Sequence, residues 1–343
     1  MVRINLALQG GGAHGAFTWG VLDRLLDEED IEIAAISGTS AGALNGAAYK
    51  SGLLAGGRDG AREKLDWLWG KIGALDDDRL PAWMGAWLPT PGAVSKAVEY
   101  SLPYAWGEAF SRMVSPYALG PLYRNPLEDI VDAFDFDRVC AIDGPDFYVG
   151  ATLVREGKIR VFKGHQISTK AILASACLPT MFQAVELEDP KTGNIEAFWD
   201  GGYTGNPPLF PFFDPKLPDD FVIVNINPMH RDQVPVTPPE IQNRINEISF
   251  NSSLLRELRA IEFVQRLLRD GALAPGAMKD VRVHMIADDA LMNSLSVATK
   301  TVPVPSVLLQ LKQAGRRAAG TFIERHKADL GNHQTANLPE MFG

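Results

Sequence analysis

The chain of 343 residues carries 33 Lys and Arg against 42 Asp and Glu, a formal net charge of −9. That balance argues against a polyanionic partner, because phosphate-directed binding needs a surplus of basic residues, so no nucleic acid is expected. With 46% apolar and 22% charged residues and no biased stretch, the composition is that of a globular protein, neither fibrous nor disordered.

Cys140 and Cys177 belong to no CxxC pair and read as two buried thiols, neither a disulfide framework nor a metal centre. The opening "MVRINLALQGGG" leaves no room for a charged head, an apolar stretch and a cleavage site, so the expected location is the cytoplasm. No run approaches the roughly 18 apolar residues of a membrane span, and any bilayer contact is expected to be peripheral, through apolar side chains rather than charge.

In chain order, "RINLALQ" predicts a buried strand, and "AHGAFTWGVLDRLLDEED" a helix with Phe17, Val21, Leu22, Leu25 and Leu26 on one face. "IEIAAIS" predicts a second strand and "SAGALNGAAYKSGLL" a second helix, which together are the alternation of a parallel α/β sheet. From about residue 62 to residue 120 the alternation lapses in a segment with five of the seven tryptophans, expected to be a helical cap or insertion. "DFYVGATLV" and "GKIRVFKG" predict paired strands, "STKAILASACLP" a helix stopped by Pro179, "NIEAFWDGG" a strand ending at Asp200, and "DDFVIVNINP" another buried strand. Residues 239 to 270 predict a long amphipathic helix, "VRVHMIAD" a last strand, and residues 305 to 328 a closing helix. The expected architecture is one domain over residues 1–343, with three α/β/α layers, a mainly parallel central sheet and a helical C-terminal segment.

The glycine loop matches G-x-G-x-x-G at Gly10, Gly12 and Gly15 in a strand-to-helix setting, as a dinucleotide site would. The second strand ends in Ile36, Ser37 and Gly38, however, with no acidic residue for a ribose, and no Gly-Lys-Ser or Gly-Lys-Thr makes a P-loop. The nucleotide-binding module therefore stands as the alternative from another class. That strand runs instead into G-x-S-x-G at Gly38, Ser40 and Gly42, the strand-turn-helix pattern of a nucleophile elbow, whose tight turn needs small flanking residues. A nucleophilic serine needs backbone N–H donors for the oxyanion of its tetrahedral intermediate, and consecutive glycines on the neighbouring loop suit that task. For the proton acceptor, His230 after a buried strand competes with an acidic residue. Against a Ser-Asp-His order stands the topology, since only one strand precedes the elbow.

Taken in order, "GGGAHG", "GTSAG", "ASACLP" and "DGG" resemble the four signature blocks of the patatin-like phospholipases, over residues 4 to about 230. The resemblance implies a serine acyl hydrolase acting on lipid or other esters through a Ser-Asp dyad, without histidine, metal or cofactor. Carried over, Ser40 is the nucleophile, Asp200 the base, and the backbone of Gly10, Gly11 and Gly12 the oxyanion hole. The family usually has Arg or Lys where this chain has His14, so a pH-dependent charge near pH 6 to 7 is expected there, or else simple packing. A soluble carboxylesterase or thioesterase with the same dyad is the alternative enzyme. The segment with Trp67, Trp69, Trp83, Met84, Trp87, Tyr100, Tyr104 and Trp106 is either a lipid-contacting lid or core, and "ASACLPTMF" is expected to pack beside the elbow without chemistry.

Overall fold

The computed structural model describes residues 1–73, 89–101, 104, 115–231, 234–274 and 276–342. Among these, eight strands form one sheet: β1 (Val2–Leu8), β2 (Ile31–Gly38), β3 (Asp146–Leu153), β4 (Lys158–Lys163), β5 (Val185–Glu188), β6 (Ile195–Asp200), β7 (Asp220–Val224) and β8 (Arg282–Ile286). Their order is β5-β6-β3-β2-β1-β7-β8, and β4 pairs with β3. The run β3-β2-β1-β7-β8 is parallel, whereas β4, β5 and β6 pair antiparallel at one end. The expectation of a mainly parallel α/β sheet is borne out.

Local sequence explains this division. The β7 segment DFVIV is buried at every residue, as a strand covered on both faces must be, while the edge strand β5, VELE, buries only Leu187. Successive side chains sort to opposite faces. Leu6, Leu8, Val222 and Val224 join a core with α1 (Ala16–Leu25), α2 (Ala41–Ile72) and α7 (Pro305–His326). On the other face Ala7, Ala35, Phe221 and Ile223 meet Leu254, Leu258 and Ile261 of α5 (Pro238–Arg269). Three further helices bear on the site: α3 (Pro91–Glu99), α4 (Thr169–Ser175) and α6 (Val297–Thr301).

Two expectations change. The second helix does not end near Leu54 but runs to Ile72 across a break at Gly56 and Gly57, so residues 62 to 72 of the expected insertion continue that helix. Ala61, Leu65, Leu68 and Trp69 are buried against the sheet layer, and Trp69 stacks on Trp19 at 6.2 Å between centroids. Trp67 meets the edge of Phe134 at 5.8 Å. These two tryptophans therefore belong to the packed layer, and their helical spacing reflected core. Trp83, Met84, Trp87 and Trp106 lie outside the described residues. Strand β5, too short and too polar to stand out in the sequence, was not anticipated.

Candidate active site

Because β1 and β2 are parallel neighbours, the loops that follow them emerge at the same edge of the sheet. Ser40 occupies the turn between β2 and α2 with φ 54° and ψ −123°, the one non-glycine residue at positive φ among the described residues. Such strain persists only where the surroundings impose it, and here they are identifiable. Gly42 packs so tightly on the Leu8 carbonyl that a Cβ has no space. The Ser40 N–H donates to Ser175 Oγ at 2.9 Å, and Ser175 Oγ donates to the Gly150 carbonyl at 2.6 Å. The "ASACLP" block thus holds the elbow backbone through Ser175, a role the sequence did not signal.

Asp200 ends β6 opposite Ala151 of β3 and is fully buried. Its own N–H donates to the Cys177 carbonyl at 2.8 Å, and its Oδ1 accepts the Gly202 N–H at 2.8 Å. Oδ2 has no hydrogen-bond partner among the described residues. Burial pushes the carboxyl up to about 7, against the Gly202 N–H and the Ser40 hydroxyl, which favour its charged form. The Ser40 hydroxyl therefore bears on Asp200 without closing an aligned hydrogen bond to Oδ2. Two expected residues 160 positions apart meet.

The glycine loop rests directly on the elbow, since a Cβ on Gly10 would lie 2.7 Å from Ser40 Cβ. Two buried asparagines clamp Gly10. Asn206 Oδ1 accepts the Gly10 N–H at 2.7 Å while its Nδ2 donates to the Gly10 carbonyl at 3.3 Å, and Asn227 Nδ2 donates to the same carbonyl at 2.7 Å. The Gly10 N–H is consequently engaged and is not free for an oxyanion. The N–H groups of Gly11 and Gly12 form no hydrogen bond among the described residues. Gly12, at φ 58°, abuts the Lys300 carbonyl of α6, a contact and a backbone conformation that exclude a side chain.

Behind the loop lies a buried polar network that no sequence motif indicated. Lys300 Nζ is 3.3 Å from Glu247 Oε1 and 3.5 Å from Asn227 Oδ1, and Arg231 donates twice to Glu247 at 2.8 and 2.7 Å. Burial alone would raise Glu247, but Arg231 and Lys300 outweigh it and bring the carboxyl down to about 2. His14 belongs to this setting: its ring is buried, with Nε2 3.0 Å from Thr299 Oγ1 and Nδ1 without a partner among the described residues. Burial first, then the Lys300 charge, hold it well below its ordinary value. Both causes favour the neutral imidazole, the side of simple packing rather than of a charge near pH 6 to 7.

No histidine is among the groups that set the charge of Asp200. The carbonyl of His230 accepts from Asn293, and His284 lies at the opposite edge of the sheet, 3.0 Å from Asp220 Oδ1. Among the described residues no group of three or more His, Cys, Asp or Glu is placed to hold a metal ion, and no helix is long and apolar enough to cross a membrane.

The family model for patatin-like phospholipases matches residues 6–213, more than half of the chain, which takes in the glycine loop, Ser40, Ser175, Asp200 and Asn206 but not β7, β8, Asn227, Arg231 or α5 to α7. Among solved structures the chain is similar to VipD from Legionella pneumophila at 13% identity and a TM-score of 0.44, covering 95% of this chain and 67% of that one. No curated protein matches. With the family model spanning this much of the chain, the protein belongs to the patatin-like phospholipases and is a lipid acyl hydrolase.

Proposed function

We propose that the chain cleaves carboxylic esters of lipids with Ser40 as nucleophile and Asp200 as the base that serves it. Asp200 takes the proton of Ser40 Oγ as the oxygen attacks the acyl carbonyl carbon. The resulting oxyanion faces the Gly11 and Gly12 N–H groups, with Gly10 acting as the clamped anchor that aims them. Collapse breaks the ester bond, and the departing alcohol leaves with the proton held on Asp200. Asp200 then deprotonates a water, which attacks the acyl-enzyme and releases the acid, returning the proton to Ser40 Oγ.

One observation carries this reading: a buried carboxyl, raised to about 7 and with an unpartnered Oδ2, stands beside a serine at a strained turn. A carboxylate near its ordinary 3.8 is a weak base, whereas one near 7 is matched to neutral pH. Preorganised backbone donors add typically about 2.7–4 kcal/mol each to transition-state stabilisation. The same reading treats residues 1–343 as one hydrolase unit working in the cytoplasm on lipid esters, without a nucleic-acid partner.

A fluorophosphonate probe tests it. Wild type should become covalently labelled and Ser40→Ala should not, and parallel assays on phospholipid vesicles and short-chain nitrophenyl esters should show preference for the vesicles. Equal labelling of both proteins would overturn the assignment of Ser40.

A further inference from the structure

The long helix α5 carries an exposed stripe that the hydrolase chemistry does not use. Ile241, Ile245 and Ile248, and two turns further on Arg256, Arg259, Phe263 and Arg266, are spaced by three, four or eight residues, which puts them on one helical face. Ile245, Ile248 and Phe263 are 54%, 55% and 49% exposed, and Val234 and Val236 just before the helix are 83% and 79% exposed. Apolar residues so concentrated on a surface mark an interaction site. The stripe spans about 38 Å at 1.5 Å per residue.

Its charge is predominantly basic, three arginines against Glu262. Arg256, Arg259 and Arg266 form no ion pair among the described residues, in a chain whose net charge is −9. Arg259 lies over the Phe342 ring at 4.9 Å and Arg266 over Phe263 at 5.4 Å, contacts that keep both guanidinium groups at the rim of an open groove of about 610 Å³. Three of the four acidic residues of the helix fall elsewhere: Glu247 is buried in the network under the glycine loop, Glu257 accepts the N–H groups of Leu209 and Phe210, and Glu240 caps the helix start; the fourth, Glu262, lines the same groove and lies 4.0 Å from Arg269. The net charge therefore conceals a local basic and aliphatic face.

The opposite side of the same turns reaches the active site. Glu247 holds Lys300, Asn251 Nδ2 donates to the Asn227 carbonyl at 3.2 Å, and Phe250 packs on Tyr203 beside the Asp200 turn at 5.3 Å. A surface resting on the stripe thus lies about one helix diameter, ~10 Å, from the glycine loop and its clamp.

We propose that this face of α5 docks on an anionic lipid bilayer, isoleucines and valines entering the acyl boundary and Arg256, Arg259 and Arg266 meeting headgroup phosphates. The choice of a bilayer as occupant rests on the lipid-hydrolase reading, and the arginines select its sign. Each basic residue near an anionic surface strengthens binding about fivefold, an effect lost in high salt.

Flotation with phosphatidylcholine vesicles, with and without phosphatidylglycerol, tests it on the full chain. Wild type and Ser40→Ala should both float with phosphatidylglycerol vesicles, and less in high salt. Ile245→Glu with Ile248→Glu should lose flotation on both vesicles. Arg256→Glu with Arg259→Glu should lower the bound fraction on phosphatidylglycerol by about tenfold or more. All these surface variants should keep wild-type rates on a water-soluble short-chain ester, which separates docking from catalysis. Unchanged flotation in both double variants would overturn the proposal, as would a wild-type dimer in gel filtration that Ile245→Glu with Ile248→Glu converts to monomer. Flotation of wild type alongside failure to hydrolyse any ester would leave docking standing and remove the catalytic reading instead.

Discussion

Two buried aspartates sit on β6 and β7, the strands next to the two edges of the same sheet, and the chain treats them in opposite ways. Asp220, at the start of β7, is saturated: His284 Nε2 lies 3.0 Å from Oδ1, the Gly331 N–H donates to Oδ1 at 2.9 Å, and Arg282 reaches Oδ2 at 2.7 Å. Burial opposes its charge, yet His284, Arg282 and Gly331 outweigh burial and hold it well below the usual carboxylate range. Asp200, at the end of β6, accepts one backbone N–H, keeps Oδ2 unpartnered and is pushed up to about 7. The pair that looks like half of a catalytic triad, Asp220 with His284, ties the C-terminal tail to the sheet through the bond of His284 to Thr335. Reactivity is placed where partners are withheld, and stability where they are supplied.

Substitutions can break this contrast. The largest effect is expected from Ser40→Ala, which should lower ester hydrolysis by about four orders of magnitude or more with an unchanged thermal midpoint, read by nitrophenyl ester release and calorimetry. Next comes Asp220→Asn, which leaves Arg282 and His284 facing a neutral amide. It should cost about 3 kcal/mol of stability in urea titration while the folded fraction keeps its specific activity.

The pH dependence should sharpen the comparison, because the two carboxyls shift in opposite directions. For Asp200 the folded value is raised from 3.8 to about 7, so its favourable contribution is complete below about pH 4 and is lost as pH rises through 7. For Asp220 the folded value is lowered, so its contribution is present above about pH 4 and is lost as pH falls. Asp200→Asn should thus gain stability relative to wild type between pH 4 and 7, whereas the deficit of Asp220→Asn should shrink below pH 4. Wild-type kcat/KM should rise with a midpoint near 7 to a plateau above about pH 8, as the base loses its proton.

A smaller loss is expected on releasing the glycine loop. Asn206→Ala removes both of that side chain's bonds to Gly10 and should lower kcat about tenfold to a hundredfold with little change in KM. The smallest effect belongs to His14→Gln: since the imidazole is already neutral, the pH midpoint near 7 should stay in place.

The sequence showed the features whose cause is local. Gly10 to Gly12, the Ser40 elbow and the Asp200 turn are short patterns whose glycines answer to close approach of backbone, and the apolar runs of β1, β2 and β7 announce a covered parallel sheet. The clamp was not legible. Asn206 and Asn227 reach Gly10 across 196 and 217 positions, and Lys300 and Glu247 meet through helices that adjoin only in the fold. A polar residue without a repeat carries no sign of which buried group it satisfies. Trp69 misled for the related reason that an aromatic stripe looks alike in a core and on a lid.

The most direct test of the account is the hydrolysis rate of Asp200→Asn on a water-soluble nitrophenyl ester at neutral pH, measured with its thermal midpoint. A fall of about a thousandfold or more, with folding as stable as wild type or more so, is the predicted result. A folded Asp200→Asn protein that hydrolyses the ester within about tenfold of wild type would contradict it.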